Sequence, residues 1–244
     1  MSECYGNSVV GTSGINGDSF FISSDNTTIL LADGASGAGK DGKVIMSGLC
    51  AETVKNNPFS LSGLSAREYL DKIVWEINNK LIAVSQKNRH YIFGTLVICV
   101  VRDNIATVVS VGDSPAFYLH GDTITRVAKT KKTYQNLIDL GFYSEEQLEE
   151  AVCKLPEHMW SMFDRFIPCV VPEYSVEEIK MSDKDMILLC CDGISDNVEP
   201  SCIKELLDPC DLSESADAVI NAARERSEKE RNYHDDLTLV VYCH

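Results

Sequence analysis

The chain has 244 residues, 44% of them hydrophobic, which is enough for one large or two small domains with a substantial core. Its formal net charge of -15 would repel a phosphate backbone and argues against general nucleic-acid binding. No apolar run approaches the roughly 20 residues that cross a bilayer, and the N-terminal MSECYGNSVVGTSG lacks a basic region followed by an apolar stretch. A soluble cytoplasmic protein without membrane partners is therefore expected.

In chain order, β-branched and aromatic runs predict strands at Phe20–Ser23 and Thr28–Ala32. A helix is predicted over Gly39–Lys55. A second, Ser65–Ser85, sets Tyr69, Leu70, Ile73, Val74, Ile77, Leu81 and Val84 on one stripe, with Ser65 and Glu68 as a capping box. Strands follow at Gly94–Arg102, Ala106–Val111 and Ala116–His120, with the turn signals R-D-N between Val101 and Ala106 and H-G-D between Leu119 and Thr123. SEEQLEEA has the pattern of a short capped helix. A strand at Met186–Cys191, a helix at Asp211–Glu230 and a strand at Leu237–Tyr242 complete the series. Strands joined by hairpins, with long amphipathic helices between groups of strands, indicate antiparallel sheet covered by helices. No repeat, low-complexity tract or linker divides the chain, so residues 1–244 are expected to form one α+β domain.

The chemical signal lies in acids at the mouths of apolar strands. TTILLADGASG runs into Asp33 and Gly34, ATVVSVGDSPA presents Asp113, and DMILLCCDGISD ends at Asp192. Asp235 and Asp236 stand immediately before the last strand, and Asp18 before the first. A lone Asp-Gly is ordinarily only a turn. Several carboxylates in one small volume need cations to stay ionised, and oxygen-only ligands select magnesium, manganese or calcium over zinc. Glycine at 34 would let its carbonyl approach such an ion. The ten cysteines include no C-x-x-C pair and are read as reduced thiols.

The segments NGDSFFI, LLADGASG, GTLVICVV, VVSVGDSPAFYL, ILLCCDGISD and HDDLTLVV, in that order from about Gly14 to Val241, resemble the signature blocks of the protein phosphatase 2C family. The resemblance implies a four-layer αββα sandwich of two antiparallel sheets flanked by helices. It also implies hydrolysis of phosphoserine and phosphothreonine by a metal-activated water at a two-metal centre, with two or three Mg2+ or Mn2+ ions per chain. By this resemblance Asp33 bridges two ions and is the central catalytic ligand, and Gly34 offers its carbonyl. Asp192, Asp235 and Asp18 complete the set, and Asp113 helps hold a third ion. Asp196 matches a position often acidic. Thr95 and Ser114 are expected to be structural. Phosphorylated proteins are the implied substrates, and a cognate Ser/Thr kinase the implied partner.

The chain departs from the family pattern in several places. Ser13 stands where the family usually has a phosphate-holding Arg, Gly17 where it has Glu or Gln, Ala35 where it can have His, and Asp236 where it has Asn. Lys40, Lys43 and Arg126 are the basic residues near the blocks, and each is expected to be a solvated surface charge. No substrate-binding residue is assigned. Residues 129–173 resemble the flap of bacterial members, and 156–172 diverge from them. There Met159, Trp160, Met162 and Phe163 are expected in core packing rather than in a docking surface, and His158 has no ligand spacing. Two alternatives stay open: a phosphoprotein-binding or regulatory pseudophosphatase on the same fold, and a phosphatase of a small metabolite.

Overall fold

The strand Thr28–Gly34 is buried at every residue, and its period of two divides the molecule. Ile29 and Leu31 enter one hydrophobic cluster, and Leu30 and Ala32 enter another on the opposite face. The structure, a computed structural model, describes residues 2–128, 144, 146–147, 167 and 174–244. Among these the strands are β1 (Glu3–Val9), β2 (Asp18–Ile22), β3 (Thr28–Gly34), β4 (Gly94–Arg102), β5 (Ile105–Val111), β6 (Ala116–His120), β7 (Thr123–Val127), β8 (Ser175–Lys180), β9 (Met186–Cys190) and β10 (Leu237–Cys243). The helices are α1 (Gly39–Asn56), α2 (Ala66–Asn88), α3 (Asp192–Ser195), α4 (Pro200–Leu206) and α5 (Leu212–Arg231).

The strands form two five-stranded sheets, ordered β1-β10-β9-β6-β7 and β2-β3-β4-β5-β8, with antiparallel neighbours throughout. Between the sheets, Ile29, Leu31, Val97 and Cys99 pack with Ile187, Leu189, Val240 and Tyr242. Helices α4 and α5 join this cluster through Ile203, Ala216, Val219 and Ile220. On the far face of the second sheet, Met46 and Cys50 of α1 and Tyr69, Ile73 and Ile77 of α2 cover Leu30, Leu96 and Ile98. These are the four layers of an αββα sandwich, as expected from the sequence.

Local signals place the long elements. Ser65 accepts the Glu68 N–H at 3.3 Å while the Glu68 carboxylate accepts the Ser65 N–H at 3.0 Å, which completes the capping box of α2. Asp211 caps α5 by accepting from the Glu214 N–H. The R-D-N signal is a two-residue hairpin turn with Asp103 and Asn104 at positive φ, 51° and 61°. Ser144 and Gln147 exchange a second pair of capping bonds, consistent with a helix start in SEEQLEEA. Apart from Ile167, the remainder of the flap-like segment, including His158, Met159, Trp160, Met162 and Phe163, lies outside the described residues. Among those described, no helix is long and apolar enough to cross a membrane.

The layering ranks two substitutions. Ile77→Ala opens a cavity under α2 and is expected to lower unfolding free energy by about 2–5 kcal/mol, whereas Ser65→Ala removes only the cap and costs about 1 kcal/mol. Urea denaturation checks the order, and an Ile77→Ala loss no larger than that of Ser65→Ala would contradict the packing.

Candidate metal centre

Strand register brings the first two acids together. In the β2–β3 ladder Asp18 sits directly opposite Asp33, so both side chains leave the same face. Asp33 follows Ile29 and Leu31 at two-residue spacing, and that face looks into the gap between the sheets. From the other sheet, β9 ends at Cys190 and antiparallel β10 begins at Leu237, so Asp192 and the Asp235–Asp236 pair emerge at one edge.

The electrostatics show how close these groups lie. Burial pushes the Asp18 carboxyl up to about 7, and the charges of Asp236 and Asp192 push in the same direction. Burial also raises Asp235, with Asp192 and Asp236 adding to the shift and Lys43 opposing it. Cys191 is held well above the usual thiol range by burial and by Asp18, Asp33 and Asp192 around it. Its sulfur is engaged, accepting the Thr238 N–H at 3.2 Å and donating to the Asp236 carbonyl at 3.2 Å. Burial likewise pushes the Cys190 thiol up to about 12, which suits small hydrophobes rather than nucleophiles.

The donor set suits a hard divalent cation. The Asp18 Oδ2 atom is buried and accepts no hydrogen bond, a costly state for a carboxylate oxygen without a cation or proton. The surrounding donors are carboxylates and the Gly34 carbonyl, which faces Gly17. Gly34 itself is packed so closely on the Lys43 backbone of α1 that a Cβ would overlap it. Among the described residues no three His, Cys, Asp or Glu side chains are already drawn close enough to form a metal cage.

The remaining sequence candidates fall at different distances from this centre. Asp113 lies on the β5–β6 loop, where Arg126 donates to its carbonyl at 2.8 Å. The next residue, Ser114, shares a buried 2.5 Å hydrogen bond with Thr95, the β4 partner of Asp33, so Thr95 and Ser114 tie this loop to the acid-bearing edge. Asp196 ends α3 and donates its N–H to the Asp192 carbonyl at 2.8 Å. Ala35 is buried beneath Phe93, whose carbonyl accepts its N–H. Ser13 is exposed, and its hydroxyl donates to the Ile15 carbonyl. Lys40 is exposed beside a cavity of about 390 Å³ at the start of α1.

Lys43 corrects the sequence reading. It is 6% exposed rather than solvated, and its Nζ lies 2.9 Å from Asp236 Oδ2. Sequence reasoning also passed over Tyr233, 43% exposed, whose phenol is pushed up by burial and by the charges of Asp235, Asp236 and Asp192 beside it. Asn16 was missed too; its side chain accepts the Asp18 N–H at 2.9 Å and donates to Ser8. Lys43 and Asp236 are 193 residues apart in the chain, so no local pattern could reveal the pair.

Comparison with known proteins bears on this geometry. The family model described as Protein phosphatase 2C matches residues 5–236. A serine/threonine phosphatase of Listeria innocua is 24% identical over 217 residues, covering 85% of this chain and 82% of the relative. The crystal structure of the Mycobacterium tuberculosis serine/threonine phosphatase PstP superposes with a TM-score of 0.78 at 24% identity, covering 99% of this chain and 98% of that one. A PstP catalytic-domain structure in complex with two manganese ions gives the same TM-score at 24% identity, with 99% and 97% coverage.

The buried acids set a pH dependence for the metal-free protein. The folded-state pKa of Asp18 lies above its ordinary 3.8, at about 7, so between these values the folded state holds a proton that the unfolded state has released. Stability from this group is therefore lost as pH rises through that window, and Asp235 acts in the same direction. In EDTA the melting temperature is expected to fall as pH rises from about 5 to about 8, with a shallower slope for Asp18→Asn. An unchanged slope in that variant would contradict the assignment.

Proposed function

The chain belongs to the protein phosphatase 2C family, and on that premise we propose that it is a metal-dependent phosphoprotein phosphatase acting on phosphoserine and phosphothreonine. The observation that carries this reading is the convergence of Asp18, Asp33, Asp192 and Asp235 on one buried edge between the sheets, with Asp18 Oδ2 unsatisfied. The manganese-containing PstP structure, similar in fold, supports assigning the same kind of ion here.

In this proposal Asp33, the Gly34 carbonyl, Asp192, Asp235 and Asp18 hold two Mg2+ or Mn2+ ions, and Asp113 contributes to a third. Bound divalent cations supply the charge that makes hydroxide available from water at neutral pH and neutralises phosphoryl oxygens. The protein's part is placement. The β2–β3 ladder fixes the spacing of Asp18 and Asp33, and the packing of Gly34 on α1 holds its carbonyl at the site's edge. The Asp235 carboxylate accepts the Asp236 N–H at 2.9 Å, which fixes its orientation. Burial keeps the carboxylates in a medium where charge interacts strongly with charge. The described cysteines are all free thiols, which agrees with a reducing cytoplasm, and there a Ser/Thr kinase would supply the phosphorylated proteins. The shared inter-sheet core supports one catalytic domain.

A Mn2+-supported assay on p-nitrophenyl phosphate and a phosphothreonine peptide tests this reading. Activity is expected to vanish in EDTA and to favour the peptide. Asp33→Ala and Asp192→Ala are each expected to lower turnover by about 100-fold or more without unfolding the protein. A folded Asp33→Ala variant that works at the parent rate would refute the roles given to these acids. Wild-type inactivity in Mn2+ would favour a pseudophosphatase, and preference for a small phosphate ester would favour a metabolite substrate.

A further inference from the structure

The Lys43–Asp236 pair stands where the acid-bearing segments cross. Lys43 Nζ donates to Asp236 Oδ2 at 2.9 Å, and the same oxygen accepts the Gly17 N–H at 2.8 Å. Asp236 Oδ1 accepts the Gly11 N–H at 2.7 Å, and the Gly17 carbonyl accepts the Gly34 N–H at 3.1 Å. One ammonium, one carboxylate and a few backbone groups thus join four pieces of chain. These are the loop that delivers Asp18, the end of β3 with Asp33 and Gly34, the first half of α1, and the loop that delivers Asp235.

The backbone is shaped around this pair. A Cβ at Gly17 would come within 2.6 Å of Lys43 Cδ, so the lysine stem runs through space that only glycine leaves open. A Cβ at Gly11 would lie 2.6 Å from the Asp235 carbonyl carbon. Burying an ion pair adds little stability compared with a well-packed apolar contact, and the best-attested use of such pairs is to fix register. Here the register that matters is that of mutually repelling carboxylates.

We propose that Lys43 is a positioning residue of the acidic site, a built-in cation that holds the segments bearing Asp18, Asp33–Gly34 and Asp235 in place before any divalent ion binds. This rests on the reading above that those residues are the ions' ligands. The pair is internally neutral, so it ties the segments together without adding net charge to the cluster. Gly17 and Asp236, two of the departures from the family pattern, become parts of one device with Lys43.

Hydrogen–deuterium exchange on EDTA-stripped protein and calorimetric Mn2+ titration test the proposal. Metal-free wild type is expected to protect the amides of Gly11 and Gly17, with little change on adding Mn2+. Lys43→Met is expected to lose that protection while α2 keeps its own, and to bind Mn2+ about tenfold more weakly. A Lys43→Met protein with lower thermal stability but wild-type Mn2+ affinity would show a merely structural role and overturn the proposal. If that variant does not fold, the wild type decides: Gly11 and Gly17 amides that are unprotected until Mn2+ is added also overturn it. Wild type that binds no Mn2+ defeats the reading of the site itself, whereas wild type that binds it with an equally competent variant defeats only the role of Lys43.

Discussion

Like charges forced into a small, poorly solvated volume must be neutralised, and this molecule concentrates that problem at one edge of its sandwich. Asp18, Asp33, Asp192, Asp235 and Asp236 come from both sheets to a place where burial, with the charges of its neighbours, raises the carboxyls of Asp18 and Asp235. Two solutions are visible. Asp236 is answered internally, by an ammonium and two backbone N–H groups. Asp18 keeps a buried oxygen without a hydrogen-bond partner, which a cation or a proton would satisfy.

The fold makes that concentration affordable through rigid placement. Central strands buried on both faces carry Asp33 and end just before Asp192, so these acids sit on elements with little freedom to relax apart. Glycines at the edge allow backbone segments to approach closely: Gly34 rests on α1, and Gly193 would meet the Asp236 carbonyl if it carried a Cβ. The cost of bringing carboxylates together is met by the large apolar interface between the sheets.

What the sequence made legible follows from the same physics. Central strands are continuous apolar runs, and β4 and β6 were located to the residue because both ends are marked by turn chemistry. The strands β1, β7 and β8 were not foreseen. Each lies at the edge of its sheet, and their exposed or half-buried residues, such as Glu177 and Glu178, break the apolar signal. Asp192 opens a short helix, which Asp-Gly, ordinarily only a turn signal, does not encode. The acids themselves were visible because aspartate is unusual at the mouth of an apolar strand. Lys43 was misread because its partner is distant in the chain, and a lysine on an amphipathic helix is ordinarily solvated.

The central claim is that these acids jointly bind hard cations. Crystals grown with Mn2+ and measured at the manganese absorption edge would locate the ions directly. The expected result is two anomalous peaks in the gap between the sheets, both within coordination distance of Asp33. Peaks elsewhere on the surface, or none at this edge in crystals soaked with Mn2+, would contradict it.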